Sequence, residues 1–259
     1  GSVYVYDLAS GTPTVPLHTI NNPAPAAGDS FGLAVGISGS WLVVGAYGDD
    51  AAASNAGSAY LYNIDSGTPT TPIYTPADPS PSVGGGFGIA VAISGNRVVV
   101  GANGKNTGAV NSGAAYVYDI ATSPTAAIVS ISNPSPAANE AFGNAMALDG
   151  SRLVIGCTQD STGATAAGSA YVYNLASGTP GTPVLTINNP TPATSDKFAF
   201  SVAVRGTQLL IGGYGDDNGA TDVGSAYLYD VASGTPTTPV ATINNPAPSA
   251  NDSFGIGVA

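Results

Sequence analysis

Two loops in this chain carry the side chains best suited to holding an ion. GDDAAASNAG places Asp49, Asp50 and Asn55 close together, and GDDNGATDVG gathers Asp216, Asp217, Asn218 and Asp222. Hard cations take carboxylate, amide and carbonyl oxygens, so either loop could close around Ca2+, the second with more ligands than the first. Against this, the matching loops GKNTGAVNSG and TQDSTGATAAG keep few acids, and Asp, Asn and Gly are ordinary turn residues. Calcium is the one cofactor these residues suggest.

Catalysis has less to stand on. His18 is the single histidine, and no serine or cysteine motif accompanies it from which a triad could be assembled. Cys157 is also alone and ends RLVIGC, where its counterparts are Ala46, Ala102 and Gly213; the expectation is a small buried residue. Glu140, the one glutamate, sits in a linker where other copies have Asp29, Gly85, Asp196 or Asp252. Paired carboxylates can cleave glycosides, but nothing in the sequence singles out a pair. The chain reads as not an enzyme.

The elements that must position these residues recur. Phe31 to Tyr62 holds three short runs, FGLAVGIS, WLVVGAY and GSAYLY, rich in Val, Ile, Leu and Tyr and bounded by glycine, as strands are. Phe31, Phe87, Phe142, Phe198 and Phe254 recur every 55 or 56 residues, as do Gly1, Gly57, Gly113, Gly168 and Gly224. A fixed period of that length marks a repeat architecture. Each unit is too small to bury both its faces, so neighbours must stack to make a core.

The boundaries follow from the period. Residues 1–30 supply a third and fourth strand, GSVYVYD and PLHTINN; whole units span 31–86, 87–141, 142–197 and 198–253; residues 254–259 are a lone first strand. These ends either complete one another in a closed ring or continue into other chain segments, and the opening in mid-repeat suggests a processed form or a portion of a longer polypeptide. No window has a helical apolar period. The Tyr-x-Tyr pairs Tyr4/Tyr6, Tyr60/Tyr62, Tyr116/Tyr118, Tyr171/Tyr173 and Tyr227/Tyr229 put both rings on one face of a strand, for packing between units or for stacking on sugars.

With these residues in place, the string FG-x-AV-x-I-x-G, then VVGA, then GSAYVY resembles the FG-GAP repeats of bacterial extracellular proteins and of integrin heads. The resemblance implies an all-β fold: a β-propeller of four-stranded antiparallel blades with the first strand innermost. The calcium-binding members carry an acidic loop between the first and second strands. Here that connection reads ISGSW, ISGNR, LDGSR and VRGTQ, with Asp149 as its single acid, so that site does not carry over.

A net charge of −11 without a basic cluster argues against nucleic acid and anionic membranes as partners. No apolar run is long enough to span a membrane. The expected function is a noncatalytic extracellular or cell-surface structural or adhesive protein that assembles with copies of itself through incomplete terminal blades, into oligomers or filaments. Glycans and cell-surface proteins are further expected partners. The alternative is a carbohydrate-binding propeller; a polysaccharide lyase or glycosidase ranks last.

Overall fold

The computed structural model describes residues 1–259 and contains strands, turns and no α-helix. Its first sheet pairs β1 (Ser2–Val5) with β2 (His18–Asn21). The second runs β3 (Val35–Ser38), β4 (Trp41–Ala46), β5 (Ser58–Asn63). Three four-stranded sheets follow in simple up-and-down order. These are β6 (Phe87–Ser94), β7 (Arg97–Ala102), β8 (Ala114–Asp119), β9 (Val129–Ser132); then β10 (Phe142–Asp149), β11 (Arg152–Cys157), β12 (Ser169–Asn174), β13 (Leu185–Asn188); then β14 (Phe198–Arg205), β15 (Gln208–Gly213), β16 (Ser225–Asp230), β17 (Ala241–Asn244). Every ladder is antiparallel.

The sheets stack in chain order. β10 packs against both β6 and β14, and β3 packs against β6. The first strands of four units border one cleft of about 320 Å³, lined by Val35, Val91, Met146 and Val202 among others. The first strands thus lie side by side along one side of the stack. The apolar core is correspondingly divided among the seams: Val43, Leu61, Phe87, Val98 and Tyr116 form one cluster, and Val154, Val172, Phe198, Leu209 and Tyr227 form another.

The two periodic anchors turn out to be the two halves of one contact. The N–H groups of Phe87, Phe142, Phe198 and Phe254 donate to the carbonyls of Ala56, Ser112, Ala167 and Val223, each just before the recurring glycine. A Cβ on Gly57, Gly113, Gly168 or Gly224 would lie 2.0–2.1 Å from the carbonyl oxygen of that phenylalanine, and all four glycines have φ between +81° and +91°. Only glycine lets the third strand of one unit approach the next unit so closely.

At the rim, the hairpin turns are tied from unit to unit. Ser38 Oγ, Ser94 Oγ and Asp149 Oδ2 accept hydrogen bonds from the turn amides of Gly95, Gly150 and Gly206 in the following unit, at 3.0, 2.9 and 2.6 Å. Asp149, the single acid of these turns, is therefore a link between units.

Three expectations need correction. The unit at 31–86 has a three-stranded sheet, its fourth strand reduced to one bridge between Leu61 and Tyr74. Pro76 stands where the other units have Ile20, Ile131, Ile187 or Ile243. Without an N–H it cannot make the next ladder bond to the third strand. Residues 254–259 form turns and bends, not a strand, although Phe254 keeps its anchor contact. No ladder joins that segment to β1 or β2, so the two ends do not complete a sheet between them.

Candidate functional site

The acidic loops follow the second strand of each unit, and the structure gives their side chains separate tasks. Asp49 is buried, accepting the Tyr60 hydroxyl on Oδ2 at 2.9 Å and the Ala51 amide on Oδ1 at 2.7 Å. Asp50 is exposed and accepts the Asn55 amide at 2.6 Å. Asp216 is likewise buried and accepts the Tyr227 hydroxyl. Asp217 accepts the amide of Asp222 at 2.9 Å, closing the loop on itself, while Asn218 is exposed. No group of three acidic, histidine or cysteine side chains comes together that could hold a metal. Asp216, Asp217, Asn218 and Asp222 therefore do not converge as a one-loop ligand set, because alternate acids serve the core tyrosine and the loop backbone.

What does converge with the buried acid comes from the preceding linker, and the sequence reading missed it. Asp29 Oδ2 accepts the Asn22 side-chain amide at 2.6 Å and the Ala26 amide at 2.7 Å. Glu140 does the same with Asn133 and Ala137, both at 2.7 Å, and Asp196 with Asn189 and Ala193, at 2.7 and 2.6 Å. Asn245 and Asp252 repeat the pair at 2.8 Å in an exposed position. The recurring signal is asparagine seven residues before an acid, with prolines between.

This linker acid lies beside the loop acid of the following unit. The amides of Gly48, Gln159 and Gly215 donate to the backbone carbonyls of Asp29, Glu140 and Asp196, at 3.2, 3.2 and 3.0 Å, which holds the two segments side by side. The electrostatics agree. Burial first, and then Asp49 and Asp29, push the Tyr60 phenol up to about 12. Burial, Asp160 and Glu140 raise Tyr171 as well. Asp196 is itself held above the usual carboxylate range by burial, against the hydrogen bonds from Ala193 and Asn189, with Asp216 and Asp217 adding to the rise.

One junction, between the units at 31–86 and 87–141, is built differently. Lys105 occupies the position of Asp49, Asp160 and Asp216, Gly85 that of the linker acid, and Asp78 that of the asparagine. Lys105 Nζ pairs with Asp78 at 2.6 Å, both side chains almost fully buried, and donates to the Ser80 carbonyl.

The other singled-out residues behave simply. Cys157 is buried, its thiol held high by burial. His18 sits half-buried on β2 opposite Val5, with no partner for chemistry. The paired tyrosines are core: Tyr60, Tyr116, Tyr171 and Tyr227 each lie 5.6–6.0 Å from the phenylalanine of their own unit, ring to ring. Tyr62, Tyr118, Tyr173 and Tyr229 are among the most deeply buried side chains. The exceptions are Tyr4 and Tyr6, which are exposed.

A stack of antiparallel sheets joined by one glycine–phenylalanine contact per period defines a tandem β-repeat protein. The chain belongs to the FG-GAP repeat family, whose repeat model matches residues 23–62, 76–118, 129–173 and 190–229. Among solved structures it is similar to the computationally designed Ika8 protein, at 14% identity and a TM-score of 0.50, over 84% of this chain and 50% of that one. It is also similar to the computationally designed Ika4 protein, at 16% identity and a TM-score of 0.46, over 79% of this chain and 93% of the other. The Ika8 likeness speaks for the fold alone, and this chain spans about half of that protein's length. No curated protein sequence matches.

Proposed function

We propose that this chain is a noncatalytic structural and adhesive module of the extracellular or cell-surface kind, a propeller-type array of blades whose copies join end to end. The observation that carries the reading is the mismatch between its end faces and its seams. Tyr4 and Tyr6 are 55% and 47% exposed, whereas their repeat counterparts Tyr60 and Tyr62 are 7% and 0% exposed. At the other end Ile243 is 43% exposed, whereas its counterpart Ile187 is fully buried. Leu210 and Leu228 are likewise only half-buried where Val154 and Val172 are covered.

Each interior seam packs a tyrosine face on a Val/Leu/Ile face. The first sheet presents a tyrosine face and the last sheet an aliphatic one, and the complementarity of the two supports pairing of one copy's first sheet with another copy's last. The near-absence of lysine and arginine, which leaves few trypsin-type cleavage sites, suits a protein exposed outside the cell.

The test is mass in solution over a range of concentrations, with electron microscopy of the same sample. Regular oligomers or filaments are expected, abolished by Tyr6→Asp at one end or Ile243→Asp at the other. A compact monomer at every concentration overturns the reading.

A further inference from the structure

The buried acid pair at the junction between the units at 142–197 and 198–253 has no basic side chain of its own. Asp196 is only 2% exposed, and its Oδ1 makes no hydrogen bond. It lines a cleft of about 600 Å³ together with Asp216, Asp217, Asn218, Thr191 and Tyr227. The nearby Lys197 does not serve the pair, since its Nζ bonds Gln159 Oε1 at 2.6 Å. A buried carboxylate with an idle oxygen beside a second carboxylate is costly unless a positive charge or a proton joins them.

The junction between the units at 31–86 and 87–141 indicates which of these the site is built for. There the loop acid is exchanged for Lys105 and the linker acid for Gly85, and the ammonium group bonds Asp78 and the Ser80 carbonyl. The exchange is coordinated: where the chain supplies its own positive charge, both acids of the pair are gone. Lys105 thus stands as an internal cation at the position where the other units present only oxygens. Asp29 with Asp49 and Glu140 with Asp160 repeat the acid pair.

We infer that Asp196 and Asp216 form the carboxylate half of a site for a hard divalent cation of the calcium class, with Asp29/Asp49 and Glu140/Asp160 as its repeats. The site lies between linker and loop, away from the hairpin turn that holds Asp149. Two carboxylates with the Thr191 hydroxyl and the Asn218 amide oxygen give fewer protein ligands than the ~6–8 calcium takes, so water completes the shell. The cleft has room for it.

Terbium, a luminescent stand-in for calcium, tests this directly, because Tyr227 bonds Asp216 and would sensitise its emission. The expected result is tyrosine-excited terbium emission that calcium displaces, with a melting temperature higher in calcium than in chelator. Asp196→Asn, which keeps the shape, should weaken binding at this junction at least tenfold. Asp216→Lys should set an internal ammonium group against Asp196, losing one terbium per chain while keeping a cooperative melt.

The reverse exchange, Asp78→Asn with Gly85→Asp and Lys105→Asp, should add one terbium per chain. Absence of calcium-displaceable emission from the wild-type chain overturns the proposal, as does unchanged stoichiometry in a folded Asp216→Lys chain. If Asp196→Asn raises the melting temperature and the wild-type chain binds no terbium, the pair shares a proton and the cation site is refuted.

Discussion

At the residue scale, the tyrosines carry more of this fold than any charged group, and their hydroxyls are unequal. Tyr118 donates to the Ala77 carbonyl at 2.7 Å, whereas the buried hydroxyls of Tyr62, Tyr173 and Tyr229 have no partner. Tyr118→Phe should cost about 0.5–1.5 kcal/mol, and Tyr173→Phe should be neutral or stabilising. Urea unfolding midpoints decide it, and equal losses at both positions would refute the distinction. The phenols also set a response to alkali. Burial and the neighbouring Asp49 push the Tyr60 phenol up to about 12 in the fold, against 10.0 ordinarily, and burial raises Tyr62, Tyr118, Tyr171 and Tyr229 in the same direction. Below pH 10 the phenol is neutral in both states and stability is unaffected; above it the unfolded chain ionises first. Stability should therefore be lost as pH rises through this interval, with phenolate absorbance appearing together with unfolding.

At the scale of elements, the seam between units depends on backbone contact, and each seam uses the same pair. Gly113→Ala would put a methyl group 2.0 Å from the Phe142 carbonyl oxygen at a φ of +91°. The expected loss exceeds the ~1–3 kcal/mol of left-handed strain alone, since β8 and β10 would also have to separate. An alanine variant that unfolds at the wild-type urea concentration would show the contact to be incidental. The opposite change is available one unit earlier. Pro76→Ile would restore an N–H opposite the Ala59 carbonyl and extend the bridge at Tyr74 into a fourth strand. Slowed exchange of the new amide is expected, with a gain of about 0.5–1.5 kcal/mol. Free exchange at position 76 would mean that something other than proline breaks this strand.

At the scale of the whole molecule, the two end faces differ from one another, tyrosine at one and aliphatic at the other. A contact between unlike faces is heterologous: it closes into a ring if the rotation permits and otherwise runs on as a filament. Doping wild-type chains with the Ile243→Asp variant should therefore shorten filaments, since the variant keeps its tyrosine end but blocks further growth. Filament length unaffected by the dopant would show that growth proceeds through some other surface.

The period was legible from Phe31 and Gly57 and their copies because a repeated packing contact demands the same residue each time. Strand type, the glycine turns and the placing of both rings of each tyrosine pair on one strand face followed from local patterning. The acid pair was not legible, because Asp196 and Asp216 belong to different segments and meet only when linker and loop are laid side by side. Nor was the loss of a strand at Pro76, whose effect depends on register, or the failure of residues 254–259 to form one. Sequence alone determined what repeats, since each repeat solves the same local problem. Only the tertiary structure decided which faces stay uncovered and which carboxylates become neighbours, because burial and charge proximity are properties of the assembled array.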